Sequence, residues 1–280
     1  SLGVVSAAEY GKVFISIVAT TGLNLTASEK KQLVADFAKY TVASITPVIV
    51  DPDTTFLILN VSFKYDSNRT SSNLSEIESE VVSAITSYNT NNLGEFEQLF
   101  RHSQVTRLID DAQDSILSNT TNVTLGKFFT PTTTAATSYY IYFNNALYNP
   151  HSGHNASAGG ILSSTGFFIS GDTTNEHFFN DNGEGIVRLY YIQSGEKVYV
   201  DSTAGTINYA TGAVFIESLY ITTISDVDGV ASTQVRLTVI PNSKDIVPVR
   251  NQILELDLTN STVTGQVDTV AVGDGSAAGT

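Results

Sequence analysis

The chain is 280 residues long, enough for two domains or one large one. Its net charge of −14 excludes nucleic-acid binding by general electrostatic attraction, and the absence of cysteine excludes disulfides, thiolate zinc sites and thiol catalysis. Hydrophobic residues make up 41% and leave room for a sizeable core, while only 15% of residues are charged, below the roughly 25% of ordinary globular chains.

Ser, Thr and Asn supply the missing polarity, a bias shared by β proteins of large assemblies and by surface adhesins. No apolar run approaches the roughly 18 residues of a membrane-crossing helix. Methionine is absent, and Ser1-Leu2-Gly3-Val4-Val5 resembles neither a natural start nor a signal peptide. The sequence therefore reads as an internal or trimmed piece of a longer polypeptide.

Val13 to Val18 is a β-branched, apolar run that predicts a buried strand. Thr26 with Glu29 forms a capping-box pattern opening a helix, with Leu33, Val34 and Phe37 as its apolar stripe. Ile45 to Val50 predicts a second strand, followed by a turn at Asp51-Pro52-Asp53. From Phe56 to Tyr65 the alternation is strict: Leu59, Val61, Phe63 and Tyr65 face one way, and Asn60, Ser62 and Lys64 the other. A second helix is expected from Ser75, paired with Glu78 as a capping box, with Ile77, Val81, Ile85 and Tyr88 on its buried side and its end at Asn89 to Asn92. A third is expected over Ser103–Leu117, with Ser103 as N-cap and Val105, Leu108, Ile109, Ala112 and Ile116 on one face, before a strand at Asn122–Phe129.

The order β-α-β-β-α-α-β implies an α+β fold. A split βαβ (ferredoxin-like) sheet-and-helix domain over 1–130 is followed by a linker over 131–137 and a β-rich domain over 138–258. Strand candidates in the second half are Tyr139–Phe143, Gly166–Ile169, Ile186–Ile192, Lys197–Val200, Val214–Ile224, Gln234–Ile240 and Ile253–Leu258. Gly205 to Gly212 predicts a short strand and turn, with Ala213–Ile216 as its antiparallel partner. Residues 259–280 carry no large apolar side chain and read as a weakly ordered tail.

Few residues suggest chemistry. His151 and His154 have a spacing that suits one metal ion, yet no local acidic partner is present, so loop histidines without metal are expected. Asp226-Val227-Asp228-Gly229 resembles the start of a calcium loop but lacks the later ligands and reads as a hairpin turn. Asp172, Glu176, Asp181 and Glu184 form an acidic loop region with His177, where paired carboxylates would suit glycoside hydrolysis; a solvated loop is the simpler reading. Tyr139, Tyr140, Tyr142, Tyr190 and Tyr191 are suited to stacking on sugars, or to packing. Dinucleotide, phosphate-loop and hydrolase-elbow patterns are absent, so no cofactor is expected.

Leu93-Gly94-Glu95-Phe96 and then Phe100-Arg101-His102-Ser103-Gln104-Val105-Thr106-Arg107-Leu108-Ile109-Asp110 resemble an F-R-x-S-x-x-x-x-L-I-D pattern. That pattern belongs to the baseplate wedge protein of T-even-like contractile-tailed phages, in the wider baseplate J-like group. Glu9 to Ile17, Val50 to Tyr65 and Asn242 to Leu254 resemble further segments of that family in the same order, and Gly205 to Gly212 is similar to a turn found in phage tail proteins; Asn144 to Glu184 adds nothing to the resemblance. The resemblance implies a carboxy-terminal portion of a structural subunit, not an enzyme. It implies residence in the virion tail baseplate, assembly in the host cytoplasm and contacts with other wedge proteins. Like-subunit contacts would give a homodimer and a ring around the central hub, which rearranges when the sheath contracts. Membrane, nucleic acid and small-molecule substrates have no place in that role. Phe96, Phe100, Arg101 and Arg107 are the expected subunit contacts, because aromatic and Arg residues are favoured at interface centres. The alternatives are a receptor- or glycan-binding tail or adhesin protein and, on the acidic loop alone, a carbohydrate-active enzyme.

Overall fold

A parallel strand pair needs a crossover, and the first fifty residues supply one. The computed structural model describes residues 12–18, 25–40, 45–227 and 229–272. Strands β1 (Lys12–Ser16) and β2 (Thr46–Val50) pair in parallel, with Val13 opposite Pro47 and Ile15 opposite Ile49, and helix α1 (Ala27–Phe37) joins them. The expected capping box opens α1: the Thr26 N–H donates to Glu29 Oε2 at 2.8 Å and the Glu29 N–H to Thr26 Oγ1 at 3.3 Å. The expectation of a buried first strand fails, because Val13 is 47% and Phe14 51% exposed. Among the described residues, one helix and two five-residue strands supply too few layers to cover both faces of this small sheet. Ser1 to Val5 and Glu9 to Gly11 lie outside the described residues.

The next unit is denser. Strand β3 (Asp53–Tyr65) leads to helices α2 (Leu74–Asn92) and α3 (His102–Asp110) and to strand β4 (Ile116–Phe129). The order β-α-β-β-α-α-β is as expected, with the four strands divided between two sheets: β1 with β2, and β3 antiparallel to β4 from Phe56 opposite Gly126 to Tyr65 opposite Ile116. The alternation of β3 places Leu59, Val61, Phe63 and Tyr65 in the core and Asn60, Ser62 and Lys64 outside. The buried side chains of α2 are Ile77, Val81, Ile85 and Tyr88, as its spacing requires.

Two helix boundaries differ from expectation. The N-cap of α2 is Asn73, boxed with Glu76, rather than Ser75 with Glu78. Glu78 is spent elsewhere: its Oε1 accepts the Gly265 N–H at 3.0 Å. Helix α3 starts at His102 and stops at Asp110, so Ile116 and Leu117 belong to β4. Arg101 at the N-cap brings no capping side chain, and Ser103 lies inside the helix. Asp245 caps it instead, its Oδ1 accepting the His102 N–H at 2.9 Å.

The remainder adds β5 (Thr137–Tyr142), the short helix α4 (His154–Ala158), β6 (Ser163–Ser164), β7 (Phe167–Ile169), β8 (Asp172–Asp181), β9 (Ile186–Gln193), β10 (Glu196–Asn208), β11 (Ala213–Leu219), β12 (Ile221–Ile224), β13 (Val235–Val239), β14 (Gln252–Leu256), β15 (Thr262–Val267) and α5 (Thr269–Val272). Among the described residues, these strands join β3 and β4 in one 13-stranded sheet, with β14-β3-β4-β13-β6-β8-β9-β10-β11-β5 as its main path. Hydrogen bonding therefore continues across the 131–137 segment: β13 pairs β4, and β14 and β15 lie parallel along the free edge of β3. The fold is α+β, a small helix–sheet region followed by a β-rich sheet.

Gly205 stands opposite Ile216 and Asn208 opposite Ala213, the expected hairpin register. A Cβ on Gly205 would sit 2.0 Å from the Phe215 carbonyl oxygen, so only glycine permits this approach. Two expectations are corrected. The acidic stretch Asp172–Asp181 is a strand, not a loop. The tail expected after Thr259 contains β15, in register with β3 from Thr262 opposite Asn60 to Val267 opposite Tyr65; residues 273–280 lie outside the description.

Candidate functional site

The stretch singled out as a contact surface lies against the segment that enters β14. The Gly94 N–H donates to the Leu254 carbonyl at 2.9 Å, and Phe96 forms a bridge with Ile253. Phe100 and Ile246 exchange two backbone hydrogen bonds of 3.0 Å. An Arg101 guanidinium nitrogen lies 3.1 Å from Asp245 Oδ2. Lys244 Nζ donates to the Thr121 carbonyl at 2.8 Å, where His102 Nε2 also sits at 2.8 Å. Residues 242–256 thus form a strap that closes over the 93–102 stretch and ties it to β4. The two sequence segments that carry much of the family resemblance are held together here.

This changes the reading of the four contact candidates. Phe100 is fully buried, edge-on to Tyr88 with ring centroids 6.0 Å apart, so it is a core residue and offers nothing to a partner. Its neighbour Tyr88 also accepts the Arg101 N–H at 3.2 Å, and burial raises the pKa of its phenol. Phe96 is half-buried on the strap, and Arg101 is exposed but ion-paired there. Arg107 stands apart on the exposed face of α3, 4.0 Å from Asp111. The structure therefore brings together Phe96, Phe100 and Arg101, and leaves Arg107 in solvent.

Asp245 completes the strap. The hydrogen bond from the His102 N–H, together with the Arg101 guanidinium, holds its carboxyl below the usual carboxylate range. Nothing local in the sequence marks it as a cap, since its helix lies more than 140 residues upstream.

The acidic group is structural. Asp181 is fully buried; its Oδ1 accepts the N–H groups of Ile161 at 2.7 Å and Leu162 at 2.8 Å, and its Oδ2 accepts from Gly183 N–H at 3.2 Å and from the Tyr209 hydroxyl. Burial, reinforced by Asp181, holds the Tyr209 phenol far above its ordinary range. A carboxylate with both oxygens occupied and no path to solvent cannot act as the acid of a glycosidase. Asp172 closes an Asx turn onto Thr174 and Asn175. His177 is buried beside it, at 3.6 Å, and burial lowers its basicity. Glu184 is exposed on the turn after β8.

The other candidates are quickly placed. Val227 and Val230 exchange two backbone bonds of 2.9 Å, the hairpin turn expected there; Asp228 lies outside the described residues. Tyr139 and Tyr190 are buried, Tyr142 and Tyr191 half-buried and Tyr140 is 53% exposed, so they do not line one sugar-binding face. An open cleft of about 460 Å³ lies against Ile58, Asn60, Thr124, Arg236 and Thr238; its cation Arg236 lies 3.9 Å from Asp257.

One polar cluster gave no sequence signal. Lys127 is buried on β4 and ion-paired to Asp53, whose other oxygen accepts the Asn144 amide at 3.2 Å. Burial lowers the Lys127 pKa, opposed by Asp53. Next to this site in the fold, buried Gln252 donates to Thr55 and to the Phe143 carbonyl, the latter at 3.1 Å. These contacts pin the start of β3 to β4, β14 and the turn after β5.

Comparison with known proteins follows the same division. Residues 4–50 match the family described as baseplate structural protein gp6, C-terminal domain I, and residues 53–127 match baseplate structural protein gp6, C-terminal domain III. The boundary falls at Asp51-Pro52, between β2 and β3. The chain is also similar to the baseplate wedge protein gp6 of Enterobacteria phage T4, with 26% identity over 113 residues. That match covers 40% of this chain and 17% of the phage protein's length.

Proposed function

We propose that this chain is a structural component of a contractile phage tail, located in the virion baseplate and equivalent to part of the carboxy-terminal region of a gp6-type wedge protein. The observation that carries this reading is the pair of family matches, over 4–50 and 53–127. Support comes from the internal use of the polar groups. Asp181, Asp245 and Lys127 are spent on holding strands and loops together.

In this reading the chain works through packing surfaces and catalyses no reaction. Copies form a homodimer and a ring around the hub, contact other wedge proteins and rearrange when the baseplate triggers sheath contraction. Such a switch needs rigid modules joined by interfaces with two arrangements. The strapped β3–β4 layer has the closure of a rigid module. Of the four contact candidates, Arg107 and half-buried Phe96 are the ones left for an interface.

Antibody raised to this chain, applied to intact source virions in electron microscopy, tests the proposal. Label at the distal plate of the tail in extended and contracted particles is the expected result. Label confined to fibre tips would transfer the chain to receptor binding, and absence of the protein from disrupted particles would remove it from the virion.

A further inference from the structure

The loop between β5 and β6 holds two histidines in a defined relation. His151 Nε2 and His154 Nδ1 lie 3.3 Å apart, with the rings nearly perpendicular at 86°. The backbone fixes this placement. The His154 N–H donates to the His151 carbonyl at 3.1 Å, and Gly153 makes the turn at a φ of 79°. Tyr148 packs edge-on against the His154 ring at 5.4 Å, and buried Asn155 ties the loop down by donating to the Tyr148 carbonyl at 2.6 Å.

The second nitrogen of His151 decides what the first can do. His151 Nδ1 lies 3.1 Å from the Ser152 carbonyl oxygen, which only a protonated nitrogen can satisfy. Nε2 of the neutral ring therefore carries its lone pair toward His154. A backbone carbonyl holding the far N–H of an imidazole is the support that metal-ligating histidines use. Two nitrogens at ~2.0–2.1 Å from one tetrahedral ion stand about 3.3–3.4 Å apart. The observed separation matches that spacing, and the contact is a weak N–H···N hydrogen bond when no ion is bound.

We infer that His151 and His154 form a two-imidazole site for a divalent transition-metal ion of the zinc, nickel or copper type. Imidazole pairs suit these ions and not magnesium or calcium. On binding, the His154 proton moves from Nδ1 to Nε2, so both lone pairs meet at the ion and no net proton is released. His151 is exposed and His154 half-buried, so water fills the remaining positions. The inference departs from the metal-free reading of these histidines, and it stands independently of the baseplate proposal.

Calorimetric titration of the full chain with Zn2+ in a non-chelating buffer tests the site. One saturable equivalent is expected, with affinity falling at least tenfold in His151→Gln and in His154→Gln while the far-ultraviolet circular dichroism stays unchanged. Cu2+ electron paramagnetic resonance of the unsubstituted chain gives a readout that needs no variant, and coupling to two imidazole nitrogens is expected. No saturable binding, coupling to fewer than two imidazoles, or unchanged affinity in both variants (an ion held by surface carboxylates) would overturn the assignment.

Discussion

The β1–α1–β2 unit is richer in apolar residues than the β3–α2–α3–β4 layer that follows it at Asp51-Pro52, yet it buries far fewer of them. Among its described residues the first unit buries one side chain, Pro47, and α1 buries none. In the second, β3 is paired by β4 on one side and by β14 and β15 on the other. Its inner residues Leu57, Leu59, Val61 and Phe63 are each at most 2% exposed. Apolar composition does not decide burial; the number of layers available to cover a face does. Between these two units, stability therefore resides in the second and in the strap that closes it.

The comparison is broken most forcefully in the core. Phe63→Ala should cost about 3–5 kcal/mol, the usual loss for an aromatic core truncation, read as a lowered urea midpoint. A loss below about 1 kcal/mol would mean that β3 is not the centre of stability. Tyr209→Phe comes next: it removes one donor from buried Asp181 and should cost about 1–3 kcal/mol by the same assay.

Asp245→Ala should cost about 1 kcal/mol, as removal of a helix cap does, although the cap comes from the distant strap. Its pH dependence has a definite sign. A carboxyl held below its usual range stabilises the fold above the unfolded carboxyl's range, and that contribution fades as pH falls through the range toward the lowered native value. Acid unfolding of Asp245→Ala should therefore show a shallower loss than the parent across that window. The smallest effect belongs to the first unit: Phe14→Ser, at a half-exposed site, should change stability by no more than about 0.5 kcal/mol.

Legibility in the sequence followed the range of the interactions. The β3 alternation and the Ile77, Val81, Ile85 and Tyr88 stripe are local periodicities, and both appear as read. The start of α3 is not legible in the sequence because Ser103 offers a local cap while Asp245 supplies the actual one. Asp172–Asp181 reads as a polar loop because the partners that make Asp181 a buried node, at Ile161, Leu162 and Tyr209, lie 19 to 28 residues away. Strand β15 gives little apolar signal, and at one of its positions only glycine fits: a Cβ on Gly265 would stand 2.5 Å from Phe63 and 2.6 Å from Leu74. Of the site, the aromatic and basic residues of 93–107 were visible, but not that the strap would claim Phe100 and Arg101. Surface and core use the same residue types, and only the fold separates them.

Native-state amide hydrogen exchange on the isolated chain tests the central claim most directly. Amides of Val48–Val50 in β2 should exchange through openings well below the global unfolding free energy, while those of Leu57–Phe63 in β3 should exchange only at that limit. Equal protection in the two strands would contradict the account, because the first unit would then be as firmly held as the strapped layer.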